Sequence, residues 1–171
     1  MMNAEYENVL DDHPGKLHFT FVNTWDQLLP AHWHEHLEIV YVTGGAITAS
    51  INDVSYELKK GDIFLVNSND IHYTYTHEDA RYYLLQIPPV HLERISAKWE
   101  GLKFQEFIRS KSADACVQGE QLENVQGKGL VEMRENRKST NRADDLYDQL
   151  RDVFRKIAGF YEEKKEGYHL L

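Results

Sequence analysis

The stretch "AHWHEHLEIVYVTGG", residues 31–45, holds three histidines and two glutamates in the seven positions from His32 to Glu38. On an extended strand, residues two apart share a face. In that conformation His32, His34, His36 and Glu38 point one way, followed by Val40 and Val42. Trp33, Leu37, Ile39 and Tyr41 point the other way, and Glu35 falls on the outward side. Polar residues at one end and valines at the other describe a wall that lines a cavity near its mouth and becomes core deeper down.

The flanking sequence continues the β pattern from residue 17 to 87. "LHFTFVN" alternates, "AITASIN" alternates small and apolar residues, and "VSYEL", "DIFLVN", "IHYTYT" and "RYYLLQI" are short and rich in Val, Ile, Tyr and Thr. Gly44-Gly45, Asn52-Asp53, Lys60-Gly61 and Asn67-Ser68-Asn69-Asp70 supply the turns. Seven or more short strands without intervening helices predict an antiparallel sandwich or barrel.

Beyond Pro88-Pro89, "PVHLERISAKW" predicts a short helix with Val90, Ile95 and Trp99 inward. Residues 101–140 have weak periodicity and no placed element. "NRADDLYDQLRDVFRKIAGFYEEKKEG" is helical over 142–166, with Leu146, Leu150, Val153, Phe154, Ile157 and Tyr161 at helical spacing. Asn141 is the expected cap, Asp144 its partner in a capping box, and Gly167 the stop. A helix this long after a compact β domain packs on its own core or on a partner chain.

Composition narrows the functions. The chain has 171 residues and a net charge of −9. Residues 1–130 contain 10 Lys+Arg against 19 Asp+Glu, and residues 131–171 contain 9 of each. The first part therefore repels nucleic acid, and nothing resembles a basic recognition helix. The one cysteine, Cys116, excludes an internal disulfide and a cysteine-based zinc knuckle. No apolar run is long enough to span a membrane and no export signal opens the chain, so a cytoplasmic protein is expected.

Neutral imidazoles and a carboxylate suit a borderline divalent metal, which needs three or four of them converging. His72, in "GDIFLVNSNDIHYTYT", is the fourth candidate beside His32, His34 and Glu38, and His36 is a reserve. His13, His18, His77, His91 and His169 lack ligand spacing.

His32-x-His34-x3-Glu38-x6-Gly45 resembles the first cupin motif, and Gly61 with His72 resembles the second. By position, His32, His34, Glu38 and His72 match the metal set of metal-binding cupins. Asp26, Asn67, Asn69 and Thr76 depart from the framing residues of those motifs. The wording of "HWHEHLEIVYVTGG", "YELKKGDIFLVNSNDIHYTY" and "YEEKKEGYHLL" resembles more closely the N-terminal part of AraC-type transcription regulators.

That resemblance implies a cupin-like antiparallel β-barrel of jelly-roll type followed by C-terminal α-helices. It implies an N-terminal arm (1–14), an effector-binding barrel (15–100), a completing or linking segment (101–140) and a helical dimerisation segment (141–171). It also implies a small polar effector, a sugar or related compound, and a homodimer. DNA would be bound through a separate C-terminal helix-turn-helix domain that this chain lacks. The expected effector-binding residues are His32, His34, Glu38, His72, Tyr41, Thr74 and Gln86. The expected dimer contacts are Leu146, Leu150, Phe154, Ile157 and Tyr161. In this family no cofactor is obligatory. The competing reading is a small metal-dependent cupin enzyme, an oxygenase, isomerase or epimerase. There the same His32, His34, Glu38 and His72 would hold zinc, nickel, iron or manganese.

Overall fold

The computed structural model describes residues 4–9, 15–76, 79–96, 98, 103–104, 107–108 and 137–163. Expectations for His13, His77, Trp99, Cys116, Gly167 and His169 lie outside these residues.

Among the described residues, ten strands and two helices follow one another: β1 Glu5–Tyr6, β2 His18–Thr24, β3 Gln27–Trp33, β4 Leu37–Gly44, β5 Ala46–Ile51, β6 Val54–Lys59, β7 Ile63–Val66, β8 His72–Thr76, β9 Ala80–Ile87, α1 Pro89–Ile95, β10 Phe107–Ile108 and α2 Arg137–Glu163. They form two five-stranded sheets, ordered β1-β3-β8-β5-β6 and β10-β7-β4-β9-β2. The result is a double-sheet jelly roll with a C-terminal helix. All pairings are antiparallel except β1 on β3.

Turn chemistry fixes the register. Asn52 and Asp53 both take positive φ, and the two-residue turn between Ile51 and Val54 has the twist that hairpins prefer. Gly45 sits at φ +68, and a Cβ there would lie 2.0 Å from the Asp79 carbonyl oxygen, so only glycine lets β4 turn into β5.

Parity along β4 divides the core in two. Val40 and Val42 point between the sheets, where they join Ile47, Ala49, Ile51, Leu58, Phe64 and Val66. Leu37 and Ile39 point to the outer face, where Ile63, Leu65, Leu85, Leu92, Tyr147 and Phe154 cover them. The second cluster exists because α2 roofs one sheet.

The helix differs from expectation at its start. It begins at Arg137, so Asn141 lies inside it and is not the cap, while the expected end at 166 lies outside the described residues. Tyr147, Phe154 and Ala158 are buried against the sheet, with Leu150 and Ile157 packed beside them. Phe154 meets Tyr41 and Phe19, and Tyr161 meets Phe19. Four of the five residues expected at a dimer contact (Leu150, Phe154, Ile157 and Tyr161) thus pack on their own chain, because a bare sheet face lies within reach. Leu146 remains 48% exposed, and so do Val153 at 45% and Phe160 at 47%. The short helix α1 also turns differently from expectation, burying Leu92 while Val90 and Ile95 stay exposed.

Candidate functional site

His32 and His72 occupy directly opposed positions on β3 and β8. Glu38 and Gln86 are likewise opposed on β4 and β9 of the other sheet. These two cross-strand pairs face each other across one end of the sandwich. His34 stands in the bend that carries the chain from the first sheet to the second.

That bend corrects the single extended strand read from the sequence. Strand pairing stops at Trp33 and resumes at Leu37 in the other sheet, so period-two alternation does not run through residues 34–36. His34 turns inward to 1% exposure, whereas His36 is half-buried and meets His34 only at its rim, ring centroids 6.0 Å apart. Glu35 is exposed. Pro30 sits where the β3–β8 register shifts between Leu29 and His32, a position that tolerates a residue without a ladder donor.

Backbone carbonyls orient all three imidazoles. Nδ1–H of His32 donates to Pro30 O (2.8 Å), that of His34 to His36 O (3.1 Å) and that of His72 to Asp70 O (3.0 Å). With the proton assigned to Nδ1, each Nε2 presents its lone pair to the interior. One ring nitrogen from each histidine lies within 4.8 Å of the others. Oε2 of Glu38 lies 3.1 Å from Nε2 of His34 and 3.9 Å from Nε2 of His72, and the Gln86 amide donates to it at 3.0 Å. Nε2 of His72 is buried with no hydrogen-bond partner.

The electrostatics express the same shortage of donors. Burial opposes the charged form of His34, but the hydrogen bond and charge of Glu38 outweigh it and hold its pKa above the ordinary value. Burial alone would raise Glu38, yet His34 and His72 bring it below the usual carboxylate range. Burial pushes His72 down to about 4. One proton on His34 satisfies the His34–Glu38 contact and leaves Nε2 of His72 without a donor. Three inward lone pairs and a carboxylate are the donor set that zinc or manganese takes, so His32, His34, His72 and Glu38 fit a divalent metal.

The other expected effector contacts divide. Thr74 and Gln86 face the interior, and Tyr82, which was not among the expected contacts, lines it with them. Tyr41 does not: its ring packs on Phe154 under α2, as the parity of β4 requires. Glu7, from the N-terminal arm, was also missed. Its contact with His32 spans 25 positions, and no local pattern marks it.

The interior space bounded by Glu7, His32, Glu38, Thr74, Tyr82 and Gln86 has a volume of about 50 Å³. Its size would suit an ion and a water or two, and falls far below the roughly 300 Å³ at which small-molecule pockets begin. A second cavity of about 400 Å³ lies outside the sandwich against Glu35, Asn67, Leu92 and Lys103. Its Lys103 is already paired with Asp70 at 2.9 Å, and among the described residues no group of buried titratable side chains converges on it, so the interior is the better candidate.

The family model described as AraC-like ligand binding domain matches residues 15–171. No curated protein matches the chain. Among solved structures, it is similar to KdgF from Halomonas sp. (25% identity, TM-score 0.41, covering 44% of this chain and 72% of that one). It is also similar to an RmlC-like cupin from Shewanella frigidimarina (20%, 0.41, 43% and 68%). A third similarity is to oxalate decarboxylase from Bacillus subtilis (21%, 0.40, 44% of this chain), of whose length the match spans 22%. Among the described residues no helix is long and apolar enough to cross a membrane.

Proposed function

This chain belongs to the family of AraC-like ligand-binding domains, and from that premise we propose that it is the effector-sensing and dimerisation part of an AraC-type transcription regulator. The effector is a small polar metabolite, a sugar or related compound. It is recognised by hydrogen bonds to His32, His34, Glu38, His72, Thr74 and Gln86, with the Tyr82 ring as an apolar wall. DNA binding belongs to a separate helix-turn-helix domain.

The observation that supports this reading is a buried polar cluster closed by the chain's own N-terminal arm. An interior of about 50 Å³ admits a metabolite only if the arm and the adjacent wall yield. The arm's contacts include two residues of parallel pairing, the bond from the Glu7 N–H to the Trp33 carbonyl at 2.9 Å and one ring contact, Tyr6 on Trp33 at 4.8 Å. A ligand that binds the opened form better than the closed one shifts the population between them. That shift is the signal a second domain can read.

Dimerisation would use the exposed stripe of α2. Leu146, Val153 and Phe160 recur at intervals of seven, with half-buried Leu150 and Ile157 beside them, which is the spacing of a helix-pairing seam. Sugars and polar metabolites screened by thermal shift should include one that raises Tm, with loss of the effect in Gln86→Ala and Thr74→Val. A panel that leaves Tm unmoved at millimolar concentration argues against an effector site here.

The convergence of Nε2 atoms favours a second reading, a metal-dependent small-molecule enzyme. A bound divalent ion would act as a Lewis acid at His32, His34, His72 and Glu38. Gln86 would hold the carboxylate in place, and Tyr82 and Thr74 would orient what binds beside it. Turnover of a screened metabolite by protein purified without nickel resin, lost in His34→Ala, would favour this reading over the first.

A further inference from the structure

We propose that the N-terminal arm carries a metal ligand, Glu7, so that a divalent ion bound at His32, His34, His72 and Glu38 latches the arm onto the sandwich. The inference rests on the fit of those four residues to a metal, and it adds a fifth donor from a segment ahead of the residues the family model matches.

Glu7 is delivered by backbone pairing. Glu5 and Tyr6 lie in parallel register with His32 and Trp33, and the Glu7 N–H donates to the Trp33 carbonyl at 2.9 Å. Its carboxylate then turns into the mouth of the interior, where Oε2 lies 3.6 Å from Nε2 of His32. That separation is too long for a hydrogen bond. Oε2 is nevertheless buried with no hydrogen-bond partner, as is Nε2 of His72. One orphaned acceptor of the triad, Nε2 of His72, and one orphaned oxygen beside it, from a Glu7 side chain that is otherwise 42% exposed, mark an acceptor-rich end of the interior with no donor between them.

A proton relieves one acceptor pair at a time. A divalent ion relieves all of them, since each acceptor becomes a ligand. The charge balance agrees: Glu38 alone leaves a divalent ion with one positive charge in excess, and Glu7 cancels it. The arm's other contacts include two residues of parallel pairing, the bond from the Glu7 N–H to the Trp33 carbonyl and the Tyr6–Trp33 ring contact. A metal–carboxylate bond would add to these, and the linkage is reciprocal: whatever releases the arm weakens the metal.

The test measures hydrogen exchange of residues 4–9 in tag-free full chain, metal-stripped and then with zinc chloride alone, alongside zinc affinity by calorimetry. In the wild type we expect one zinc per chain and at least about ten-fold slower exchange in the arm. Glu7→Gln should bind zinc about ten-fold more weakly, and the zinc-dependent slowing should vanish. Glu5→Gln, on the exposed side of the same arm, should behave as wild type. Circular dichroism confirms that the variants are folded. Zinc binding without slowing in the wild type, or equal slowing in Glu7→Gln, overturns the latch while leaving the four-residue site intact. If the wild type binds no more zinc than a His34→Ala/His72→Ala double variant, the metal reading itself falls, and the latch with it.

Discussion

Nε2 of His72 lies 3.9 Å from Oε2 of Glu38, across the gap between the two sheets, and no donor reaches it. A desolvated lone pair of this kind weakens the fold it sits in. Its retention in the interior is easiest to understand if something positive visits it.

His72→Leu tests that cost. The substitution gives up the bond from Nδ1–H to Asp70 O but also removes the orphaned acceptor. In chelator-treated protein its stability should stay within about 1 kcal/mol of wild type. In excess zinc the wild type should gain about 2–3 kcal/mol, and the variant should gain nothing. Urea unfolding under both conditions reads the two effects separately. A loss above about 3 kcal/mol without metal would mean that Nε2 is satisfied in solution.

The helix α2 offers two substitutions with opposite signatures. Leu146→Glu combined with Phe160→Glu alters only exposed positions, so the chain should stay folded and sediment as a monomer. Phe154, at 1% exposure, is core to its own sheet. Phe154→Ala should cost about 3–5 kcal/mol with no primary effect on association. A double Glu variant that remains dimeric would move the interface away from this stripe.

Gly45→Ala should be among the most damaging small changes in the chain. It combines a φ of +68 with a Cβ 2.0 Å from the Asp79 carbonyl oxygen. Strain and clash together predict a loss of more than about 2 kcal/mol, measured as a shift in the urea midpoint. An unchanged midpoint would show that the β4–β5 turn relaxes freely.

Two tyrosines contribute to a loss of stability at alkaline pH. Burial raises Tyr82 to about 12, and burial together with the hydrogen bond to Glu162 raises Tyr83 to about 12. Their ordinary value in the unfolded chain is about 10. Below that pH both states keep the protons and the contribution to stability is complete. Between about 10 and 12 only the unfolded chain releases them, so stability falls as pH rises. Urea midpoints at pH 9 and 11 should diverge less in a Tyr82→Phe/Tyr83→Phe double variant than in the wild type.

Much of this was legible in the sequence wherever the information is local. Alternation from Leu37 to Val42 assigned inner and outer faces correctly, because one strand of one sheet spans those positions. The Asn52-Asp53 turn was readable for the same reason. Parity placed His34 inward, where the structure has it, but His34 gets there by a change of sheet and not along one strand, and the same bend sets His36 aside. Tyr41 was named as a ligand contact although its parity pointed outward, and the structure follows the parity. The inner seam of α2 was visible as a stripe, but its occupant was not. Periodicity marks an apolar face without saying whether the chain itself or another copy covers it. Glu7 was hidden entirely, since its partners are assembled by folding.

The roof that α2 places over one sheet has a mechanical corollary. Strands β4 and β7 are buried on both faces, whereas β3 and β6 are largely open to solvent on one. Native-state openings should therefore begin in the uncovered sheet. Glu38 and Gln86 would stand on the stiff wall, with His32, His72 and the arm on the compliant one. A molecule gripping both would spend its binding energy on the compliant half, and motion would travel outward from there.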